Sequence, residues 1–395
     1  MRRLPLFLTL ACALTWNVQA EMRNWTSRSG ETVQAELVDI DEQQNLILKT
    51  SSGQHVAINV NDVSKSDQEW IIAQVKEPTA TQEVESNQPT NFDKPWPQDA
   101  KADTDVEVTT VQEGPDLFIY ETPHFRYTCD AKIGPSIIRK LSIVFETAYA
   151  ANKALPLNNA PTVDPNYKFE AYLFDKIEDY YQAGGKPGTA GIQIWRTGMG
   201  KYGRVLCPFA SLGVKKSGKT YVSDSKVKDM SVLIHEITHL LMSNAVKKEG
   251  WFTEGSAEYV GLSPFNAGRI NFRGNKKSII QSVTAYGAKG KKGGRALGKD
   301  INVGSLEKFM DMSYEEFTGS NAMKNYGVAP LLVYYFYTAD GKGDAAQIKK
   351  YVKALQSGAT TDEAKKQLLG DRSWSDLEKS ISAFWKRSGI NLSFD

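Results

Sequence analysis

The stretch His235-Glu236-Ile237-Thr238-His239, followed by Trp251-Phe252-Thr253-Glu254-Gly255, decides how this chain is read. Residues four positions apart lie close to one helical turn apart, so both imidazoles can face one ion from the same side. Glu236 stands beside the first imidazole, where its carboxylate can reach a water on that ion. Zinc lowers the pKa of such a water, and a neighbouring carboxylate can take its proton during attack on a carbonyl. Met230, Leu233, Ile234, Ile237, Leu240 and Leu241 recur at helical spacing and predict a core-clamped helix over 229–243.

The five-residue pattern also occurs in buried helices as satisfied polar packing. Two features favour a zinc site. The chain has 4 histidines, and two of them stand at this spacing. A second carboxylate segment follows a turn-like stretch at 246–250. Glu254 then completes a His₂Glu set for one Zn²⁺ per chain and leaves one position for water. Its alternative is a charge at a helix N-terminus, where it meets the helix dipole favourably. Glu258, one turn further on the same face, is expected to support a histidine through its free ring nitrogen, or to bind the ion itself. Gly255 would let two helices approach closely.

Outward from this site the chain divides into four. In 1–20, Arg2 and Arg3 precede an apolar run that ends at Val18-Gln19-Ala20, the form of a secretory signal cut after Ala20. Too short for a membrane anchor, it predicts a secreted or periplasmic mature chain with no transmembrane segment. Removing Arg2 and Arg3 takes the 48 basic residues to 46, matching 46 acidic ones. That balance argues against nucleic acid as a partner. Cys129 and Cys207 would remain, as one disulfide or as two buried thiols.

Residues 21–75 read as a small β-rich module, with apolar runs at 32–40, 45–50 and 55–60 separated by turn-like segments. Residues 76–115 carry Pro78, Pro89, Pro95 and Pro97 among polar residues and read as a flexible linker. Residues 116–395 read as one α+β domain: a mixed sheet first, the site helix next, and a helical C-terminal part. The lysine- and glycine-rich stretch 276–299 reads as a solvated loop near the cleft.

Two resemblances sharpen this. Arg23-Asn24-Trp25-Thr26-Ser27-Arg28-Ser29-Gly30, Val33-Gln34-Ala35-Glu36-Leu37 and the closing Val63-Ser64-Lys65-Ser66-Asp67 resemble an SLA1 homology 1 domain. That resemblance implies an SH3-like β-barrel with a peptide or cell-envelope ligand. Residues 231–260, with Glu254-Gly255-Ser256-Ala257-Glu258-Tyr259, resemble the peptidase MA-like, gluzincin-type (DUF1570-like) zinc metallopeptidases. This resemblance implies a zincin-like domain, Glu254 as third ligand, and a tyrosine or histidine that holds developing negative charge. Tyr326, just before an apolar helix, is chosen for that role, with Tyr286 and His124 as rivals.

The expectation is therefore an exported zinc-dependent peptidase acting on a peptide or protein, with Glu236 as general base. Substrate backbone would pair with an edge strand at 203–209. The alternative is a catalytically silent domain of the same kind, serving with the N-terminal module as a secreted peptide- or protein-binding unit.

Overall fold

The computed structural model describes residues 22–27, 31–40, 45–51, 55–59, 62–68, 70, 91–114, 117–160, 166–194, 203–224, 229–242, 249–285 and 294–395. The expected signal segment lies outside these residues. So do 76–90 of the expected linker, Tyr286, and the lysine-rich stretch 286–293. Contacts divide the chain into two units, one within 1–87 and one formed by 88–195 with 201–395.

The first unit carries β1 (Arg23–Thr26), β2 (Thr32–Ile40), β3 (Asn45–Thr50) and β4 (His55–Asn59). They pair antiparallel in the order of the chain. Trp25, Ala35, Leu37, Leu46, Leu48 and Val63 form its core. Asp67 closes it, accepting hydrogen bonds from the Arg23 guanidinium at 2.6 Å, the Thr26 amide at 2.9 Å and the Ser64 hydroxyl at 2.8 Å. The SH3-like barrel expected here is corrected. Among the described residues, strands β1 and β4 are the two outer strands and do not pair, so no closed barrel forms. A bulge between Leu37 and Asp39 bends β2, and a single bridge joins Ser27 to Val63.

The second unit is mixed α+β, with its main sheet towards the N-terminus and its helices towards the C-terminus. Residues 91–114 belong to it. β5 (Asp99–Lys101) pairs with the short strand Arg269–Asn271, and β6 (Thr109–Glu113) forms one edge of the main sheet. Next come β7 (Phe118–Glu121) and β8 (Phe125–Cys129), with a break between them. The break is a tight turn, in which the Thr122 amide donates to the Phe125 carbonyl at 2.9 Å. Helix α1 (Pro135–Ala154) starts with its proline at the first turn, where the missing N–H leaves no donor unpaired. After it come β9 (Phe169–Phe174), α2 (Ile177–Gln182), β10 (Ile192–Ile194) and β11 (Arg204–Pro208).

The six strands run in the order β10-β11-β9-β8-β7-β6. β8, β9 and β11 are mutually parallel neighbours, and the remaining pairs are antiparallel. The edge strand beside the site is therefore β10. The expectation of an edge at 203–209 is corrected, because β11 is hydrogen-bonded on both sides, to β10 and to β9. Cys129 and Cys207 both stand opposite Leu173, one on each neighbouring strand. They are thus two strands apart, roughly 10 Å, beyond the reach of a disulfide. Both are buried free thiols.

Helix α3 (Ser231–Met242) buries Leu233, Ile234, Ile237, Thr238, Leu240 and Leu241. Asn152 of α1, fully buried, donates to the Thr238 hydroxyl at 3.1 Å and so fixes the rotation of α3. Helix α4 (Gly250–Gly261) is buried along its whole length. Helices α5 (Asn275–Thr284), α6 (Leu306–Asp311) and α7 (Tyr314–Thr318) follow, then α8 (Ala322–Thr338), which packs against α4. Gly255 makes that packing possible. A β-carbon there would stand 2.6 Å from a Val333 methyl and 2.7 Å from the Ala329 carbonyl oxygen. Helices α9 (Ala346–Gln356), α10 (Thr361–Leu369) and α11 (Trp374–Lys386) complete the helical part. Among the described residues, no helix is long and apolar enough to cross a membrane.

Candidate metal centre

Helix α3 presents His235 and His239 towards α4, which presents Glu254. The Nε2 atoms of the two histidines are 2.9 Å apart. Glu254 Oε2 lies 3.2 Å from His239 Nε2 and 3.3 Å from His235 Nε2. Zinc bonds of about 2.0–2.1 Å in a tetrahedron give ligand-to-ligand edges of about 3.3–3.4 Å. The three atoms therefore outline nearly one face of such a tetrahedron. His235, His239 and Glu254 form a cluster that could hold a metal ion. Two imidazole nitrogens and one carboxylate oxygen suit zinc chemically.

The electrostatics point the same way. Glu254 is 2% exposed, and a carboxylate in so buried a helix requires a positive partner. Burial pushes its carboxyl up, but the two imidazoles outweigh that and hold it well below the usual range. Burial works against a charge on His235, yet Glu254, Glu258 and Glu236 together push its imidazole up to about 9. The cluster thus has the negative potential that draws a cation.

The second carboxylate of α4 lies behind His235. Glu258 Oε1 is 4.0 Å from His235 Nδ1 and accepts a hydrogen bond from Arg295 at 2.7 Å. The Arg295 guanidinium also lies over the Tyr326 ring, 4.9 Å from its centroid. Tyr326 stands near the start of α8, and the Tyr314 hydroxyl donates to Glu254 Oε1 at 3.0 Å. Glu236 points to the sheet side, where its Oε2 accepts from the Gln193 amide of β10 at 2.7 Å. Gly191 leaves room there, because a β-carbon at that position would stand 3.5 Å from Glu236 Cγ and 2.9 Å from Cys207 Sγ.

The structure thus brings together His235, His239 and Glu254, with Glu236, Glu258 and Tyr326 around them. His124 is elsewhere, at the turn between β7 and β8. Glu146 holds its Nδ1 at 2.5 Å, and its ring stacks on Tyr149 at 3.7 Å. Sequence reasoning missed Gln193, Arg295 and Tyr314. Arg295 was hidden in a stretch read as solvated loop. Tyr314 had a local signal: Ser313 and Glu316 form a reciprocal capping box that starts α7 beside it.

Comparison with known families changes the reading of the chain. Residues 26–66 match the family of the biotin protein ligase C-terminal domain. No curated protein matches the chain. The family found is neither SLA1 homology 1 nor peptidase MA-like, and it is unrelated to proteolysis. The two recognitions made from sequence are corrected accordingly, and with them the SH3-like and zincin-like fold names and the metalloprotease and gluzincin labels. The physical reason is visible at Asp67, whose hydrogen bonds to Arg23, Thr26 and Ser64 use the residues that carried the first resemblance. The second resemblance likewise rested on residues that a metal-binding helix pair needs in any family.

Proposed function

We propose that the chain is a zinc-dependent hydrolase that cleaves an amide bond, the peptide bond being its foremost substrate, with Glu236 as general base. The observation that carries this reading is the triangle of His235 Nε2, His239 Nε2 and Glu254 Oε2, whose sides of 2.9, 3.2 and 3.3 Å come near the edges of about 3.3–3.4 Å that a tetrahedral zinc site has. When bound, zinc supplies Lewis acidity and brings the pKa of a water to about 7.

The chain's own residues do the rest. Glu236, next to a ligand and held by the Gln193 amide through one oxygen, takes a proton at the other and returns it to the leaving amine. Glu258, held in turn by Arg295, steadies His235 from behind. Tyr326 is assigned the developing oxyanion. Export to the periplasm or the exterior belongs to the same proposal.

The test is cleavage of an unbiased peptide library by the zinc-loaded full chain and by its Glu236→Gln variant. Cleavage by the first and not by the second is expected. Equal cleavage by both would remove Glu236 from the mechanism. No cleavage by a zinc-loaded wild type would favour the binding-module reading.

A further inference from the structure

We propose that Tyr314 is a positioning residue that makes Glu254 a one-oxygen ligand and so keeps one coordination position free for water or substrate. The inference rests on the hydrolase reading and adds a residue to it. Glu254 divides its two oxygens between opposite partners. Oε2 faces both imidazoles, at 3.2 and 3.3 Å, while Oε1 accepts the Tyr314 hydroxyl at 3.0 Å. A carboxylate that turned both oxygens to the ion would fill the position that a catalytic zinc site keeps open. The Tyr314 hydrogen bond holds the second oxygen away.

The arrangement is built to last. Tyr314 opens α7, whose start is fixed by the Ser313–Glu316 capping box. Phe317, on the same helix, is fully buried against Tyr326 and Phe309. Asn325 of α8 donates to the Phe317 carbonyl at 2.9 Å and ties the two helices together. Tyr314 is also 53% exposed as a residue, so its ring spans from solvent to the carboxylate. Its loss would not hollow out the core.

The experiment compares wild type with Tyr314→Phe, each full-length and loaded with Zn²⁺ or Co²⁺. Chelator competition reads affinity, and the visible spectrum of the cobalt form reads coordination number. Affinity about 10- to 100-fold weaker in the variant is expected, as for loss of other groups that orient a ligand. The cobalt bands should move from a four- to a five-coordinate pattern. Tyr326→Phe leaves the Tyr314 hydroxyl in place and should change affinity by less than about 3-fold, well below that effect. Should the phenylalanine variant fail to fold, X-ray absorption on zinc-loaded wild type decides: one carboxylate oxygen supports the proposal, and two overturn it. A folded Tyr314→Phe protein with wild-type affinity and spectrum overturns the inference and leaves the hydrolase reading standing. A wild type that binds no zinc overturns both.

Discussion

The Glu236 carboxylate accepts a hydrogen bond from the Gln193 amide at 2.7 Å, joining the helix that carries both histidines to the edge strand β10. One oxygen of Glu236 is thereby fixed, and in the proposed mechanism the other takes the proton. Glu236→Gln keeps an acceptor for Gln193 but has no base. Its rate should fall by about 10²–10⁴-fold, while zinc content by elemental analysis stays at the wild-type level. A parallel loss of zinc would mean that Glu236 acts as a ligand.

Gly255 sets the distance between α4 and α8. Gly255→Ala places a methyl 2.6 Å from Val333 Cγ2 and 2.7 Å from the Ala329 carbonyl, where backbone cannot yield cheaply. Urea unfolding should show a loss of about 1–3 kcal/mol. Because Glu254 is the preceding residue, zinc affinity should fall as well. An unchanged unfolding midpoint would show that the two helices separate more easily than their packing implies.

Glu249 supplies a pH test away from the metal cluster. It is buried, accepts from Trp251 Nε1 at 3.0 Å and from the Tyr351 hydroxyl, and its Oε1 has no hydrogen-bond partner among the described residues. Burial pushes its carboxyl up. The folded chain therefore holds this proton more tightly than the unfolded chain does. Its contribution to stability is greatest below the unfolded pKa of about 4.3 and is lost as pH rises through the raised folded value. Glu249→Gln cannot titrate. Wild-type stability minus variant stability, from urea unfolding at stepped pH, should decline from pH about 4 upwards until the folded value is passed. A difference that stays flat or rises would contradict this.

Much of the site was legible because its signals are local. The spacing of His235 and His239 follows from helix geometry, and the helix expected over 229–243 is observed as Ser231–Met242. Glu254 was legible as the next carboxylate on a following helix. Arg295 and Tyr314 were not, because each meets its partner across a long span of chain, 37 residues to Glu258 and 60 to Glu254. Periodicity carries no record of such contacts. Residues 91–114 read as linker because strands of three to five residues among prolines give no periodic signal. Only pairing with Arg269–Asn271 and with β7 makes Asp99–Lys101 and Thr109–Glu113 strands. The first unit shows the opposite failure. Its strands at 32–40, 45–50 and 55–59 were placed well, Arg23–Thr26 was not read as a strand, and the residues that close the unit gave the wrong family.

Arg295 should matter for the ion without touching it. Arg295→Met removes the donor to Glu258 Oε1, so Glu258 no longer steadies His235. Zinc affinity should drop by about 10-fold, with lysine at this position restoring part of it. An unaltered dissociation constant for the methionine variant would make Arg295 a packing residue over the Tyr326 ring.

The central claim is that His235, His239 and Glu254 hold one zinc ion, and equilibrium dialysis of the demetallated full chain against Zn²⁺ tests it most directly. One tightly bound ion per folded chain is expected, with tight binding lost in each of His235→Ala, His239→Ala and Glu254→Ala. A folded wild type that takes up no zinc, or three variants that bind it as tightly as wild type does, would contradict the account.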